Sequence, residues 1–260
     1  MKGLFSALLV SFDKEGNINE KGLREIIRYN IEACKVDGLY VGGSTGAQIG
    51  TIDLKESVEL AKYVTNLGYK AISAVTPFYY KFDFEEIKNY YLTIVNETQN
   101  NMIIYSIPFL TGVNMSLSQF AELFENDKII GVKFTAGDFY LLERVRNAFP
   151  NKLIYAGFDE MLLPAVALGV DGAIGSTYNI TGKIAREVYE YTLNGNLAAA
   201  RKSQTHLNDI IEKLLGNGLY QTIKIILQSK GVEAGYCRLP MKKLSDLKVK
   251  SALEIGKQYL

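Results

Sequence analysis

Short apolar runs alternate with segments of helical period along most of the chain. The pattern predicts seven strands, at residues 4–10, 37–43, 71–77, 102–108, 129–135, 152–157 and 172–177. Some runs are apolar almost throughout, and such strands are typical of parallel sheets that helices cover on both faces. The alternation therefore predicts an α/β fold built from repeated strand–helix units.

The helical segments between these runs carry start signals. An acceptor side chain followed three residues later by Glu or Gln is the capping-box spacing, and it occurs at Asp53 with Glu56, Asp83 with Glu86, and Ser116 with Gln119. Beyond about residue 181 the chain has helical patterns and no further strand. We expect a barrel at 1–180 and C-terminal helices at 181–260, packed on it as one structural domain.

Units of this size suggest a (β/α)8 barrel, but the strand count is one short. Only 28 residues separate Gly43 from Ala71, which is the length of a single strand-to-strand unit. The fragment 48–50 resembles the end of another strand, yet it follows Gly46 almost at once, whereas a parallel crossover needs about a dozen residues. The sequence predicts a TIM (β/α)8-type barrel that lacks one helix and one strand, plus a C-terminal helical extension.

Charge and composition exclude several classes of partner. The chain of 260 residues has 29 basic and 28 acidic side chains, so nothing electrostatic favours nucleic acid or an anionic membrane. No apolar run approaches the roughly 20 residues that span a bilayer, and residues 1–10 fit a first buried strand better than a secretion signal. Cys34 and Cys237 lie far apart without metal-ligand spacing, which favours a reduced, cytoplasmic protein.

Lys133 is the strongest candidate for chemistry, because it lies near the end of the apolar strand Ile130-Gly131-Val132-Lys133-Phe134-Thr135. A lysine there is costly unless it is neutral, paired or functional. Burial favours the neutral amine, which is the form that attacks a ketone. From these residues alone, a Schiff-base lysine and a lysine that reaches from the strand end to water are both open.

Other polar residues follow the predicted strands. Tyr105 occupies the matching position of the preceding strand, where its phenol could transfer a proton or simply fill the core. Gly42-Gly43-Ser44-Thr45-Gly46 offers hydroxyls and backbone N–H groups to an anion. Asp159 and Glu160 start a helix, where simple capping and hydrogen bonds to the hydroxyls of a polyol substrate are both open. The run 175–179 adds polar donors after the last strand, and an ordinary turn would also explain it. His206, the only histidine, reads as a solvated helix residue.

Four segments in chain order resemble the dihydrodipicolinate synthase/N-acetylneuraminate lyase family, and the similarity runs nearly end to end. They are Asp37-Gly38-Leu39-Tyr40-Val41-Gly42-Gly43-Ser44-Thr45-Gly46, Ser73-Ala74-Val75-Thr76-Pro77-Phe78-Tyr79-Tyr80, Gly131-Val132-Lys133-Phe134-Thr135 and Gly172-Ala173-Ile174-Gly175-Ser176-Thr177-Tyr178-Asn179. The resemblance implies a pyruvate-dependent class I aldolase, on a (β/α)8 barrel with C-terminal helices, that uses no metal or organic cofactor and usually forms a homotetramer.

The resemblance also implies roles for individual residues. Lys133 matches the lysine that forms an imine with pyruvate, and Tyr105 matches the tyrosine that relays the proton. The remaining matches concern substrate binding: Ser44 and Thr45 hold the pyruvate carboxylate, Thr135, Gly157, Asp159, Glu160 and Ser176 contact the rest of the substrate, and Tyr79 reaches into the site of a neighbouring subunit.

One turn favours a branch of this family. Dihydrodipicolinate synthases typically have an arginine in the turn after the tyrosine strand, where it binds a second carboxylate. Here the turn has Leu110 at the matching place, and an apolar side chain cannot make that bidentate contact. The implied reaction is cleavage of N-acetylneuraminate to N-acetylmannosamine and pyruvate, with aldol cleavage of another 2-keto-3-deoxy sugar acid as the alternative.

The chain departs from the family pattern directly after Gly46, where Ala47 replaces an expected glutamate and about one βα unit is absent. Three explanations are open: a deletion with a rearranged barrel, a strand replaced by a neighbour's segment through swapping, or residues of the molecule that this sequence omits. A catalytically silent barrel is therefore a further hypothesis, because a missing strand would expose strand edges.

Overall fold

The computed structural model describes residues 1–42, 51 and 53–260. Its strands are β1 Gly3–Ala7, β2 Gly38–Tyr40, β3 Ile72–Val75, β4 Met102–Ser106, β5 Ile129–Phe134, β6 Leu153–Ala156 and β7 Gly172–Gly175. Each overlaps one of the seven predicted runs, which confirms the strand prediction. Residue 43 and the fragment 48–50, interpreted above as the end of another strand, lie outside the described residues.

Helices fill the segments between and after these strands. They are α1 Glu20–Glu32, α2 Leu54–Asn66, α3 Phe84–Thr98, α4 Pro108–Thr111, α5 Leu117–Phe124, α6 Phe139–Ala148, α7 Leu162–Ala167, α8 Tyr178–Leu193, α9 Leu197–Asn217, α10 Leu219–Ser229 and α11 Asp246–Tyr259. A 3₁₀ turn, Asp159–Met161, precedes α7. The fold is the predicted (β/α) barrel type with C-terminal helices, and the described residues contain seven strands where such a barrel has eight.

The strands form one sheet in the order β2-β1-β7-β6-β5-β4-β3. The pairings with a defined register are all parallel, as expected when each strand is followed by a crossover. β2 and β3 stand at the two ends of this order although they are consecutive in sequence. The connection between them contains residues 43–50, so the interrupted part of the family pattern falls between these two strands.

Two of the three predicted capping boxes are complete, and the third forms in part. At α3 and α5 the capping box is complete, with side chain and backbone bonded in both directions. At α2 the Asp53 carboxylate accepts from the N–H groups of Lys55 and Glu56, but the Asp53 N–H donates to Thr51 Oγ1. This helix therefore begins at the predicted residue with a different partner for the cap's own N–H.

The chain divides into two compact units, and each has its own core. The first comprises Met1–Lys2, Gln48–Phe158 and Ala167–Ala173, and the second Gly3–Ala47, Asp159–Val166 and Ile174–Leu260. In the first unit all of β4 is buried. In the second, α9 buries Leu207, Ile210, Ile211 and Leu214 at the spacing of an amphipathic helix. The boundary expected at residue 180 stays a prediction.

No helix among the described residues is both long enough and apolar enough to cross a membrane.

A buried amide in the second unit joins β1, α1 and the start of α8. Asn179 Nδ2 donates to the carbonyl oxygens of Ala7 at 2.8 Å and Ser176 at 2.9 Å. Its Oδ1 accepts from the Leu9 N–H at 3.4 Å and from Asn30 Nδ2 at 3.1 Å. The side chain is fully buried, so water could not replace these hydrogen bonds if the side chain were removed.

We expect Asn179→Ala to lower the free energy of unfolding by about 3 kcal/mol, because it leaves buried donors and acceptors without partners. Urea denaturation would measure the change. Asn151→Ala, at an exposed turn position, is the matched control and should stay within about 0.5 kcal/mol of the parent chain. Equal effects of the two substitutions would contradict the structural role of Asn179.

Candidate active site

Lys133 and Tyr105 face each other across two paired strands of the first unit. In the parallel register of β4 and β5 their Cα atoms are partners, and on the other side Lys133 pairs with Tyr155 of β6. The Lys133 side chain is 5% exposed and that of Tyr105 is 4% exposed. Lys133 Nζ lies 4.0 Å from the centroid of the Tyr105 ring. The structure thus places an amine and a phenol together in a buried position.

Thr135 follows Lys133 by two residues, so the two side chains lie on the same face of the sheet. Its Oγ1 is buried and has no hydrogen-bond partner among the described residues. Gly157 lies against it: a Cβ added there would overlap this hydroxyl oxygen. Four of the residues predicted from the resemblance, Lys133, Tyr105, Thr135 and Gly157, are therefore found together in the first unit.

The second unit contains the remaining described candidates, except Tyr79. Asp159 is buried, and its Oδ2 accepts from the Thr177 N–H at 2.9 Å and from Thr177 Oγ1 at 2.5 Å. A Cβ added to Gly175 would overlap the other carboxylate oxygen. Glu160 and Ser176, which directly precede Met161 and Thr177, are half-buried. Backbone and hydroxyl contacts thus hold the Asp159 carboxylate in one orientation.

The phenol of Tyr178 lies near these acids. Its side chain is fully buried. Burial, together with the charges of Asp159 and Glu160, raises the pKa of Tyr178 well above the ordinary value. The phenol therefore stays neutral beside the carboxylates at physiological pH.

Five further residues singled out in the sequence have other outcomes. Ser44 and Thr45, expected to bind a carboxylate, lie outside the described residues. Tyr79 belongs to the first unit and is 73% exposed, with its ring edge-on to that of Tyr80 at 4.9 Å between centroids. Leu110, on the short helix α4, is 66% exposed. His206 lies on an exposed position of α9, as predicted, with its ring stacked on Tyr259.

A second buried lysine, Lys224, has a structural role, because its amine bonds backbone carbonyls. Lys224 Nζ donates to the carbonyl oxygens of Val10, Ala234 and Tyr236 at 2.5, 3.0 and 2.7 Å. Burial lowers its pKa to about 8. Because three carbonyls occupy its three N–H directions, Lys224 joins segments of the second unit and has no direction left for a substrate.

The motif reasoning missed two residues that contact the Asp159 segment. Thr177 binds the Asp159 carboxylate, and its signal was present in the polar run 175–179, which also fits an ordinary turn. Gln204, on α9, donates to the Asp159 carbonyl and accepts from the Leu163 N–H. No local motif marks Gln204, because a glutamine among the polar residues of a helix is unremarkable until the fold shows what it touches.

Sequence comparison assigns the family. The sequence model of the dihydrodipicolinate synthetase family matches the chain in two segments, residues 1–49 and 47–258. Together these segments cover nearly the whole chain, and curated relatives are more than half identical to it over its full length. The chain belongs to the dihydrodipicolinate synthetase family.

Relatives and solved structures agree with this assignment. An N-acetylneuraminate lyase of Clostridium perfringens is 63% identical over the whole of both chains. A structure from Clostridium difficile, described as CdNal in complex with mannosamine, is 63% identical, with a TM-score of 0.98 over 100% of this chain and 99% of that one. The N-acetylneuraminate lyase of Fusobacterium nucleatum complexed with pyruvate is 63% identical, with a TM-score of 0.96 over 100% and 97%.

The same comparisons confirm the interruption near Gly46. The alignment with the Clostridium perfringens relative spans 287 positions, whereas this chain has 260 residues, so about 27 positions have no counterpart here. The two segments of the family match meet at residues 47–49. That is the place where the strand count predicted a missing helix and strand.

Gly157→Ala should destabilise the first unit by about 1–3 kcal/mol, because the added methyl group would overlap the Thr135 hydroxyl and overpack the site. Chemical denaturation would measure the loss. Gly137→Ala is the matched control, since a Cβ there meets no atom within 4 Å. If Gly157→Ala proved as stable as Gly137→Ala, Thr135 would not be held as tightly as the structure indicates.

Proposed function

We propose that this chain is a class I aldolase that cleaves N-acetylneuraminate to N-acetylmannosamine and pyruvate through an imine on Lys133. One observation carries the proposal: a buried lysine amine lies over the ring of Tyr105, its partner on the neighbouring strand. A buried amine beside a phenol fits a nucleophile for a ketone, with a proton donor at hand. The full-length similarity to proteins named N-acetylneuraminate lyase supports the substrate.

The proposed chemistry follows from these two side chains. The Lys133 amine attacks the C2 ketone of the substrate and loses water, which gives a protonated imine. When the C3–C4 bond breaks, its electron pair moves toward the iminium nitrogen and an enamine forms, while the C4 hydroxyl loses its proton and becomes the aldehyde. Tyr105 relays this proton to C3 of the enamine. Water then releases pyruvate and regenerates the amine.

Binding of the remaining substrate atoms is proposed from the resemblance, with partial support from the structure. The Thr135 hydroxyl is buried and has no partner among the residues that the structure describes, so a ligand hydroxyl could satisfy it. Asp159, Glu160 and Ser176 are proposed to bind the sugar hydroxyls, and Ser44 and Thr45 the pyruvate carboxylate. Structures of relatives described as complexes with mannosamine and with pyruvate support small molecules of these two kinds.

Assembly and location are also proposals. We infer a homotetramer in which Tyr79 enters a neighbouring subunit's site. The exposure of Tyr79, with Phe78 and Tyr80 beside it, supports a partner surface here, because clustered exposed aromatic side chains mark interaction sites. A cytoplasmic location rests on the free thiols Cys34 and Cys237.

Incubation with pyruvate followed by borohydride should fix one reduced pyruvate unit on the parent chain, because borohydride converts the imine into a stable amine. Lys133→Ala should give no adduct. Lys128→Ala, which removes an exposed lysine just before β5, is the matched control and should give the parent yield. Intact-mass spectrometry measures the adduct.

Each outcome of this experiment has a separate meaning. An adduct that persists in Lys133→Ala would assign the imine to another amine. No adduct on the parent chain would favour the alternative hypothesis, a catalytically silent member of the family, which the roughly 27 missing positions motivate. If the adduct forms on Lys133, the cleavage rates of N-acetylneuraminate and of other 2-keto-3-deoxy sugar acids would decide between these two classes of substrate.

Tyr105→Phe should retain the pyruvate adduct but slow substrate cleavage by about 10²- to 10⁴-fold, because the ring still packs over Lys133 while the proton-relaying hydroxyl is gone. Steady-state release of pyruvate measures the rate. Tyr140→Phe removes an exposed hydroxyl from α6 of the same unit and should leave the rate unchanged. An unimpaired Tyr105→Phe would remove Tyr105 from the mechanism.

A further inference from the structure

The segment that carries Asp159 and Glu160 does not begin as a regular α-helix. Residues Asp159–Met161 form a 3₁₀ turn, and α7 begins only at Leu162. In a continuous α-helix the Leu163 N–H would donate to the carbonyl four residues earlier, which is that of Asp159. Both of these groups instead bond to one side chain from α9.

That side chain is Gln204. Its Nε2 donates to the Asp159 carbonyl oxygen at 3.2 Å, and its Oε1 accepts from the Leu163 N–H at 2.8 Å. A side chain that enters the hydrogen-bond ladder of a helix in this way changes the local path of the backbone. Glu160 lies in the 3₁₀ turn between the two groups that Gln204 bonds, so the direction of its side chain depends on these hydrogen bonds.

The orientation of the Gln204 amide is itself fixed. Its Nε2 also donates to Asn208 Oδ1 at 2.8 Å, one turn further along α9, and the side chain is 8% exposed. A flipped amide would direct an N–H group at the Leu163 N–H and its oxygen at two acceptors. Every polar atom of the amide is therefore committed to one arrangement.

Two elements thus hold Asp159 from different sides. Thr177 bonds its carboxylate, and Gln204 bonds its carbonyl. The Thr177 hydroxyl in turn accepts from Thr181 Oγ1 at 3.2 Å. The carboxylate bonds alone would fix the side chain of Asp159 but not the backbone that directs Glu160. Gln204 bonds that backbone at both ends of the turn.

We propose that Gln204 is a positioning residue that holds Asp159 and Glu160 in the geometry needed to bind the hydroxyl groups of the N-acetylmannosamine half of the substrate. This inference rests on the proposed function for the identity of that ligand. It assigns no contact between Gln204 and the substrate. Gln204 acts through the backbone of the turn, and the pyruvate-binding half of the reaction does not depend on it.

Gln204→Leu is the sharpest test, because a side chain of similar size fills the space while the Leu163 N–H and the Asp159 carbonyl become free to bond each other directly. The probe is N-acetylmannosamine, titrated by calorimetry, with pyruvate trapping by borohydride measured in parallel. We expect the dissociation constant for N-acetylmannosamine to rise about tenfold or more, because the carboxylates that bind it are no longer preorganised. The yield of pyruvate adduct and the melting temperature should change little.

Two companion variants make the result specific. Gln204→Glu keeps the acceptor for the Leu163 N–H but directs a carboxylate oxygen at two acceptors, the Asp159 carbonyl and Asn208 Oδ1, so its affinity for N-acetylmannosamine should fall below that of Gln204→Leu. Thr205→Ala, at the exposed neighbouring position of α9, should bind like the parent chain. A merely structural glutamine would lower the melting temperature without this graded loss of affinity.

The possible failures are distinguishable. Unchanged N-acetylmannosamine affinity in Gln204→Leu, or no binding of this sugar by the parent chain, would overturn the positioning role. A parent chain that binds the sugar but forms no pyruvate adduct would overturn the imine mechanism, and a weaker affinity in Gln204→Leu would still support the positioning role.

Discussion

The burial of one primary amine in a parallel sheet constrains the structure around the candidate site. Lys133 lies on β5, between β4 and β6, where a charged group without compensation would cost several kcal/mol. The parallel register brings Tyr105 directly opposite, and the ring provides a face that attracts an ammonium group. Small residues follow from the same constraint: Gly157 leaves room for Thr135 beside the lysine. A shift of the β4–β5 register by one residue would separate the amine from the phenol.

Much of this arrangement could be predicted from the sequence, because it depends on local patterns. Apolar runs placed the strands, and capping spacings placed the starts of α2, α3 and α5. Lys133 and Tyr105 come late in consecutive strands, and such positions meet at one edge of a parallel sheet. The resemblance then selected these two residues from many other polar strand ends.

The contacts that could not be predicted are those formed between distant parts of the chain. Thr177 reaches the Asp159 carboxylate across 18 residues, and Gln204 reaches the Asp159 carbonyl across 45. Neither contact follows a periodicity or a motif spacing in the sequence. The chain also departs from the family pattern near residues 43–50, where about 27 positions of the relatives have no counterpart. Lys133 and Tyr105 do not lie on the strands next to this interruption. Their strands are each paired on both sides, β4 with β3 and β5, and β5 with β4 and β6.

The exposure of Leu110 has an evolutionary consequence. Most side chains discussed here are buried, and exchanging any of them would disturb packing or leave a polar group without a partner. Leu110 has neither restriction, because two thirds of its side chain already faces solvent on the short helix α4. An arginine at this position would add a guanidinium group at little cost to the fold. Position 110 can therefore change its chemical character without a compensating change in the interior of the first unit.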